Sequence, residues 1–554
     1  KADGMYRRVV LCIYWNVFFI FTSQLIMNKL ILTVVLLITV CSFPKLSAQS
    51  TLIQNDTFWF TKDAQPIYSQ GGGIFRFKDP ASGIEKYYWY GVRYKEAEIY
   101  RLNPAVTLPT STFEAVTCYS STDLVNWSFE HNVLTMAELE KNGGYKRWLG
   151  RLGVAYLAEL KKYVMVVQHG NQVLFTTSDT PAGNYTWHNQ ISMKEMIGTP
   201  NTGDQTVFTD DDGKSYLIYS YGSGRNKIYV SEIGVKDGKA NLLDCKEIFR
   251  GESREGNCMF KYNGKYYMAA SNIYGWDASL AYYLVADDIR GPYMPAKSMA
   301  VMKGCEDDYA HITQTGFFVS VKGTKQETIL YCGDRWADFA GNGLGYNQWF
   351  PMSFEGSTPV FNSLHRWNLN AQTGSWSVDP GNNYVRNASF EADRRYVPTH
   401  VKPVQDQLTG WTSTVILGNA ISQDSLTSPV LNYFNTEADR KTVIGEKSLA
   451  ITDNTSFHRR VSQTISSTPF VNLPDGYYRL SAMIRSKGSF TSAFIYAKSS
   501  GKMVRYIIIN DNNDWKKITL TNIKIRKGKV EIGFDAAGDA GALWLVDDVE
   551  FIRE

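Results

Sequence analysis

The sequence is poor in cysteine, with seven in 554 residues and none in a CxxC or zinc-type spacing. Five follow residue 48 (Cys118, Cys245, Cys258, Cys305 and Cys332), so at least one is unpaired. That excludes a zinc ribbon, and a chain of this size needs no disulfide framework. Net charge is lacking too. The whole chain is +4, and segment 1–48 alone is +4, with Lys1, Arg7, Arg8, Lys29 and Lys45 against Asp3. The remainder is near neutral, so nucleic acid is not an expected partner. Amphipathic helical periodicity is scarce after residue 52, which argues against a helical protein. Long apolar runs are confined to the first 48 residues, so no membrane span is expected beyond them.

That first segment reads as an export signal. Met27 opens MNKLILTVVLLITVCSFPKLSAQS: a lysine, an apolar run, and small residues at Ser47 and Ala48. Cleavage after Ala48 is expected, giving a periplasmic or extracellular protein. Cys41 sits in a poor setting for lipidation. Residues 1–26 read as an upstream extension; their apolar run Val9–Phe21 leaves a membrane anchor as the alternative.

The rest is aromatic-rich, at 14% with 34 Tyr and 14 Trp, and is patterned as short strands. The stretch Gly251–Met268, GESREGNCMFKYNGKYYM, is representative. It runs from a polar turn carrying Glu255 through a strand and an Asn263-Gly264 hairpin turn to a second strand. A tyrosine-rich unit recurs, beginning Tyr87-Tyr88-Trp89-Tyr90, KYVMVVQHG from Lys162, DDGKSYLIYS from Asp211, NGKYYMAAS from Asn263, and ETILYCGDRW from Glu327 followed by NQWFPMSF and LHRWNLN. Five such units predict an all-β fold, a five-bladed β-propeller over 49–380, with polar residues at the starts of its innermost strands as site candidates. After Asp379-Pro380-Gly381 the tyrosine phrase disappears. The opening Asn387-Ala388-Ser389-Phe390-Glu391, then Gly410-Trp411 and the closing LWLVDDVEFI predict a second domain, 383–554, a β-sandwich of jelly-roll type. That region resembles carbohydrate-binding sandwiches appended to glycosidases; a plain spacer is the other reading.

An acidic, aromatic bowl in an exported propeller fits polysaccharide processing. Glycoside hydrolysis needs a carboxyl group kept protonated near neutrality, and inverting enzymes also need a group that activates water across the bond. Glu255 and Asp204 each precede a hairpin and are the carboxylates in question; the bland reading of both is as turn charges.

The phrases GDQTVFTDDDGKSYLIYS, EGNCMFKYNGKYYM, YGW at 274–276, TQTGFF, GDRW and QWFPMSF stand in an order that resembles glycoside hydrolase family 43, five-bladed inverting enzymes. The similarity covers about residues 55–380, nearest the branch of exo-β-1,3-galactanases and furanosidases. It implies Glu255 as general acid and Asp204 as the carboxylate that orients it. The family's aspartate base is missing: its place reads Gln70-Gly71-Gly72-Gly73. The galactanase branch shares that absence, and Gln314 matches the glutamine thought to replace it; Glu306 and Asp308 are the alternative bases. Gly150, before Arg151, stands where galactanases carry a sugar-holding glutamate. Arg151, Trp276, Arg335, Trp336 and Gln70 are the substrate-binding candidates.

No cofactor or metal ion is required by this reading. Asp210-Asp211-Asp212-Gly213 opens like a calcium loop, but Tyr221 stands where its closing glutamate belongs. The resemblance allows a structural calcium near the axis, with His311 as its candidate neighbour. Three functions stay open. The first is an exo-acting hydrolase removing terminal furanose units, L-arabinofuranose or D-galactofuranose. The second is an exo-β-1,3-galactosidase, supported by Gln314 and opposed by Gly150. The third is a non-catalytic glycan-binding protein, against which Glu255 and Asp204 tell. A monomer acting on an oligo- or polysaccharide is expected.

Overall fold

Each tyrosine-rich stretch folds as the second strand of an antiparallel sheet: Glu85–Tyr94, Lys162–His169, Ser215–Tyr221, Lys265–Ser271 and Glu327–Ala337. The computed structural model describes residues 50–106, 108, 110–141, 149–337, 342–392, 408–420, 432–443, 445–508 and 512–554. The export segment expected at 1–48 lies outside these residues. Among the described residues, no helix is long and apolar enough to cross a membrane.

The five sheets are blades of a propeller. Their innermost strands are Gln70–Lys78 (blade I), Leu152–Leu157 (II), Thr202–Thr209 (III), Glu255–Tyr262 (IV) and Gln314–Lys322 (V). Each neighbours the next, and blade V returns to blade I, so the ring is closed. The tyrosine-rich strands are buried on both sides because neighbouring blades cover both faces. Aromatic and β-branched residues suit such a pleated, covered surface. Separate apolar layers fill each gap: Tyr90 with Met165 between I and II, Phe175 with Leu217 between II and III, Ile218 with Met268 between III and IV, and Tyr267 with Tyr331 between IV and V. The V–I gap is filled by tryptophans, Trp89, Trp127, Trp349 and Trp367. Trp89 and Trp349 meet at 5.0 Å between ring centres, in a tilted arrangement that ring quadrupoles favour over a sandwich.

Among the described residues, no strand is exchanged between the first and last blades. Instead Leu52–Gln54 pairs with Arg366–Asn370, which pairs with Ser375–Val378, in a three-stranded sheet joining the two ends of the propeller segment. This corrects the assignment of LHRWNLN to the fifth unit. Thr358–Phe361 already completes blade V through a tight turn at Gly356 (φ +63), so the strand holding Trp367 is displaced to the new sheet.

Four innermost strands begin with an irregularity: the register shifts between Gln70 and Gly73, Thr202 and Gln205, Glu255 and Cys258, and Thr315 and Phe317. Such bulges bend a strand and re-aim the side chain at its start. Two glycines make them feasible. A Cβ on Gly72 would lie 1.8 Å from the Tyr90 carbonyl oxygen. Gly256 has φ +63, and a Cβ there would lie 2.5 Å from the Thr315 oxygen.

The C-terminal part is a sandwich of two five-stranded antiparallel sheets. Trp411, Phe534, Trp544, Tyr478 and Phe551 fill its core. The Asn387 opening and the Gly410-Trp411 pair meet there: Trp411 Nε1 donates to the Asn387 oxygen at 3.2 Å, and Asn387 Nδ2 donates to the Thr409 oxygen at 2.8 Å. The sandwich is tied to the propeller by Arg386, which donates to the Ser363 oxygen at 2.6 Å, and by Arg440, which donates to the Ala105 oxygen at 3.1 Å.

Candidate active site

Each blade sends one polar side chain from the start of its innermost strand into the same place. Gln70, Arg151, Asp204, Glu255 and Gln314 come from blades I to V in order, and all line a cavity of about 220 Å³. Val92, Tyr94, Gly150, Arg225, Trp276 and Trp336 also line it. The two indoles meet edge to face, 5.2 Å apart at 69°.

Arg151 is the hub. Its Nε donates to Asp204 Oδ2 at 3.0 Å, Nη1 to Asp334 Oδ2 at 2.9 Å, and Nη2 to Gln314 Oε1 at 2.8 Å. The side chain is buried, and a buried guanidinium is stable only when its charge is compensated. Asp204 and Asp334 supply two charges and hold its pKa above the usual arginine value against the opposing effect of burial. Asp204 Oδ2 also accepts from the Gly256 amide at 3.0 Å, which fixes it beside the strand that carries Glu255.

Glu255 is 8% exposed. Its Oε1 accepts from Gln314 Nε2 at 2.8 Å, and Arg225 Nε lies 3.4 Å from Oε2. Burial, and then the charge of Asp204, push its carboxyl up to about 8, against the pull of Arg225 and Arg151. It is therefore protonated at neutral pH, as a proton donor must be. With Oε1 engaged by Gln314, Oε2 is the oxygen that presents the proton.

Gln314 is locked by its neighbours. Its Oε1 accepts from Arg151 Nη2 at 2.8 Å and from Trp336 Nε1 at 2.9 Å. Both are groups that can only donate, so Oε1 is a carbonyl oxygen and Nε2 the amide nitrogen. An imidic-acid form would turn an O–H against two donors. The side chain also touches Glu255, whereas an inverting site keeps its two groups about 6.5–9.5 Å apart to admit water. This geometry suits Gln314 to holding the acid rather than receiving a proton.

Arg335 is placed elsewhere. It precedes Trp336 on a strand, where alternate residues face opposite ways. Its Nη1 donates to Asp56 Oδ1 at 2.7 Å, away from the cavity lining. The same alternation puts Asp334 on the side of Trp336, and Asp334 is the charge that sequence reasoning passed over in the phrase GDRW. Burial raises its carboxyl and Arg151 lowers it, with the balance upward. Arg225 was also missed, because it sits in the turn after Gly222-Ser223-Gly224 and meets Glu255 only in the folded chain. Glu306 is exposed and accepts from the Gly304 amide, and Asp308 is buried, accepting from His311 N and Ser363 Oγ. Neither is among the residues lining the cavity.

His311 joins a separate cluster. His311 Nε2 and His365 Nδ1 lie 2.8 Å and 2.6 Å from Asp56 Oδ2. Burial raises the Asp56 carboxyl, but the two histidines outweigh it and hold the group well below the usual range. Asp56, His311 and His365 are close enough to share an ion. Calcium takes six to eight oxygen ligands, and this set offers two nitrogens and a carboxylate already paired with Arg335. The donors do not fit calcium, and no chemical step is assigned to a metal. The acidic turn at Asp210–Asp212 is compensated by lysines: Lys261 reaches Asp210 at 2.7 Å and Lys322 reaches Asp211 at 2.6 Å.

Residues 91–345, spanning most of the propeller, match the family model of glycosyl hydrolases family 43. The chain carries a family 43 glycosyl hydrolase domain. An arabinoxylan arabinofuranohydrolase of Paenibacillus polymyxa is 26% identical over 219 residues, which is 33% of this chain and 33% of that protein. The chain thus spans about a third of the length of that relative. Among solved structures, an exo-β-1,3-galactanase of Phanerochaete chrysosporium bound to β-1,3-galactotriose is 19% identical, with a TM-score of 0.50 over 90% of this chain and 100% of that one. An exo-β-1,3-galactanase of Clostridium thermocellum is 21% identical, with a TM-score of 0.50 over 91% and 100%. These two likenesses are likenesses of fold. They extend beyond the family 43 domain into the region of the sandwich.

Proposed function

We propose that the cavity of this family 43 domain hydrolyses the terminal glycosidic bond of an oligo- or polysaccharide, with inversion and with Glu255 as the general acid. The observation that carries this reading is the environment of Glu255: a carboxyl kept protonated by burial and by Asp204, aimed into a cavity whose other walls are an arginine hub and two indoles. A binding module has no use for a raised carboxyl pKa, which weighs against the non-catalytic reading.

A terminal sugar ring enters the cavity. Trp276 and Trp336 face it with apolar rings, which suits stacking on the less polar side of a sugar. Glu255 gives its proton to the departing oxygen as the anomeric carbon gains positive character. Asp204 keeps Arg151 in register, and Gln314 holds Oε1 of the new carboxylate. The small volume favours one ring over a chain, in keeping with exo action.

The substrate favoured is a terminal furanose, α-L-arabinofuranose or β-D-galactofuranose. Gly150 adds no carboxylate to the lining beside Arg151, so that wall has Asp204 but not the sugar-holding glutamate expected of a galactanase. The arabinofuranohydrolase relative points the same way. The second reading, exo-β-1,3-galactosidase, draws on Gln314 at its place in the cavity and on the two galactanases of like fold. Export to the periplasm or cell exterior is part of the proposal and rests on residues 27–48. The test is product release from nitrophenyl α-L-arabinofuranoside, β-D-galactofuranoside and β-D-galactopyranoside and from β-1,3-galactan, by the protein and by Glu255→Gln. Release from one furanoside, lost in the variant, supports the first reading; release from the galactoside and galactan supports the second. Equal traces from both proteins would sink the acid assignment.

A further inference from the structure

Arg225 differs from the other cationic groups around the cavity in what holds it. Arg151 has spent its three nitrogens on Asp204, Asp334 and Gln314. Arg254, next to Glu255 in the chain, is paired with Glu252 at 2.6 Å. For Arg225, the one carboxyl group within 4 Å among the described residues is Glu255, with Nε 3.4 Å from Oε2. That partner is protonated at neutral pH, so it supplies no counter-charge to a guanidinium that always carries one. Arg225 Nε is buried and donates to no described residue. The two Nη groups make no hydrogen bond to a described residue either, and they are not buried: the side chain is 28% exposed and lines the cavity.

The backbone fixes this arrangement. Arg225 stands in the turn between the second and third strands of blade III, Ser215–Tyr221 and Lys227–Lys236. Its φ of +51° is one that residues with a side chain rarely adopt. Its carbonyl oxygen accepts from the Arg254 amide at 3.0 Å, and Ser253 Oγ donates to the Gly224 oxygen at 2.6 Å. The turn is thus tied to the segment that leads into Glu255. The stem of the side chain passes over Gly203, where a Cβ would lie 3.3 Å from Arg225 Cγ. The guanidinium is held on the Oε2 side of the acid.

Oε2 presents the proton, so the leaving oxygen has to come within about 2.6–3.2 Å of it. The unit attached to that oxygen then lies against Arg225. A neutral unit would cover the guanidinium without neutralising it, and an unpaired charge withdrawn from water is costly. The two Nη groups form a fork that a carboxylate can meet with both oxygens. We infer that this site takes a substrate whose leaving unit carries a carboxylate, a uronic acid next to the cleaved sugar, and that Arg225 is the residue that selects it. The inference rests on the hydrolase reading above. The carboxylate binds and takes no part in the exchange of bonds or protons.

The test uses two glycosides of the sugar the protein cleaves, with 3-carboxy-4-nitrophenol and its methyl ester as leaving groups. They differ in charge at neutral pH, and the ester is the slightly better leaving group, so a preference for the acid cannot come from leaving-group chemistry. Initial rates give kcat/KM for the parent, Arg225→Gln and Arg225→Lys at low and high salt. The parent is expected to favour the carboxylate about tenfold at low salt, mainly through KM, and less at high salt, where the charges are screened. Arg225→Gln abolishes the preference, and Arg225→Lys keeps part of it. The quantity read is the ratio of the two substrates, which a loss of folded protein in a variant does not move. A parent ratio near one, or a preference undiminished in Arg225→Gln, overturns the role of Arg225 and leaves the hydrolase reading intact. No hydrolysis of any glycoside by the parent, or equal rates for the parent and Glu255→Gln, overturns both.

Discussion

Replacing Glu255 by Gln should disable the site and stabilise the fold, and the second effect has a pH dependence that can be worked out. The carboxyl is held at about 8 in the folded chain, against an ordinary value of 4.5. Between these two values the folded state keeps a proton that the unfolded state has released. Stability then falls as pH rises, by roughly 1.4 kcal/mol per unit for this single group. From pH 5 to pH 7 the parent should lose roughly 3 kcal/mol relative to Glu255→Gln, whose amide titrates nowhere in the range. Other groups, Asp334 among them, are common to both proteins and largely cancel in the difference. The assay is urea unfolding followed by tryptophan fluorescence at pH 5, 6 and 7, with Trp89, Trp127, Trp349 and Trp367 as reporters of the propeller. A stability difference that stays constant across this range would refute the claim that Glu255 is a buried, protonated acid.

Asp204→Asn removes the charge that, after burial, does most to raise Glu255. The basic limb of the pH–rate profile, expected near pH 8, should therefore move to lower pH in that variant. Asp334→Asn leaves Arg151 short of one of its two anionic partners and should destabilise the protein by about 3–5 kcal/mol, measured by the same unfolding. Trp276→Ala should raise KM up to about tenfold while kcat changes little, read from initial rates on the preferred glycoside. Trp349→Ala, in the layer between blades V and I, should cost about 3–5 kcal/mol of stability with KM unaltered.

The blades were legible in the sequence because their second strands are covered on both faces. Coverage demands long aromatic runs such as Tyr87–Tyr90 and Tyr266–Met268, and these stand out from the alternating pattern of other strands. The innermost strands are harder to see. They are glycine-rich and irregular at their starts, as in Gln70-Gly71-Gly72-Gly73, and it is that irregularity which aims the polar residues inward. LHRWNLN was misplaced because Trp367 packs in one layer with Trp349 of blade V and the blade I tryptophans while its backbone pairs with Leu52–Gln54, and residue type reports the packing alone.

At the site, Glu255 and Asp204 were visible through the hairpins that follow them. Gln314 was visible as a position but not as a locked amide, since its orientation is set by Arg151 and Trp336 from two other strand segments. In Asp334-Arg335-Trp336 the choice of Arg335 ignored strand alternation, which pairs Asp334 with Trp336. Nothing local could assemble Asp56, His311 and His365, which meet only through the closure of the ring. Arg225 escaped for the same reason.

The most direct test of the account is the configuration of the sugar first released. Proton NMR during hydrolysis of the preferred glycoside distinguishes the two anomers before they equilibrate. Inversion is expected: Glu255 acts alone as acid, water arrives from the other side, and Asp204, held by Arg151 and the Gly256 amide, never bonds to the sugar. Retention of configuration would require a carboxylate nucleophile beside Glu255 and would contradict the roles assigned here to Asp204 and to the water.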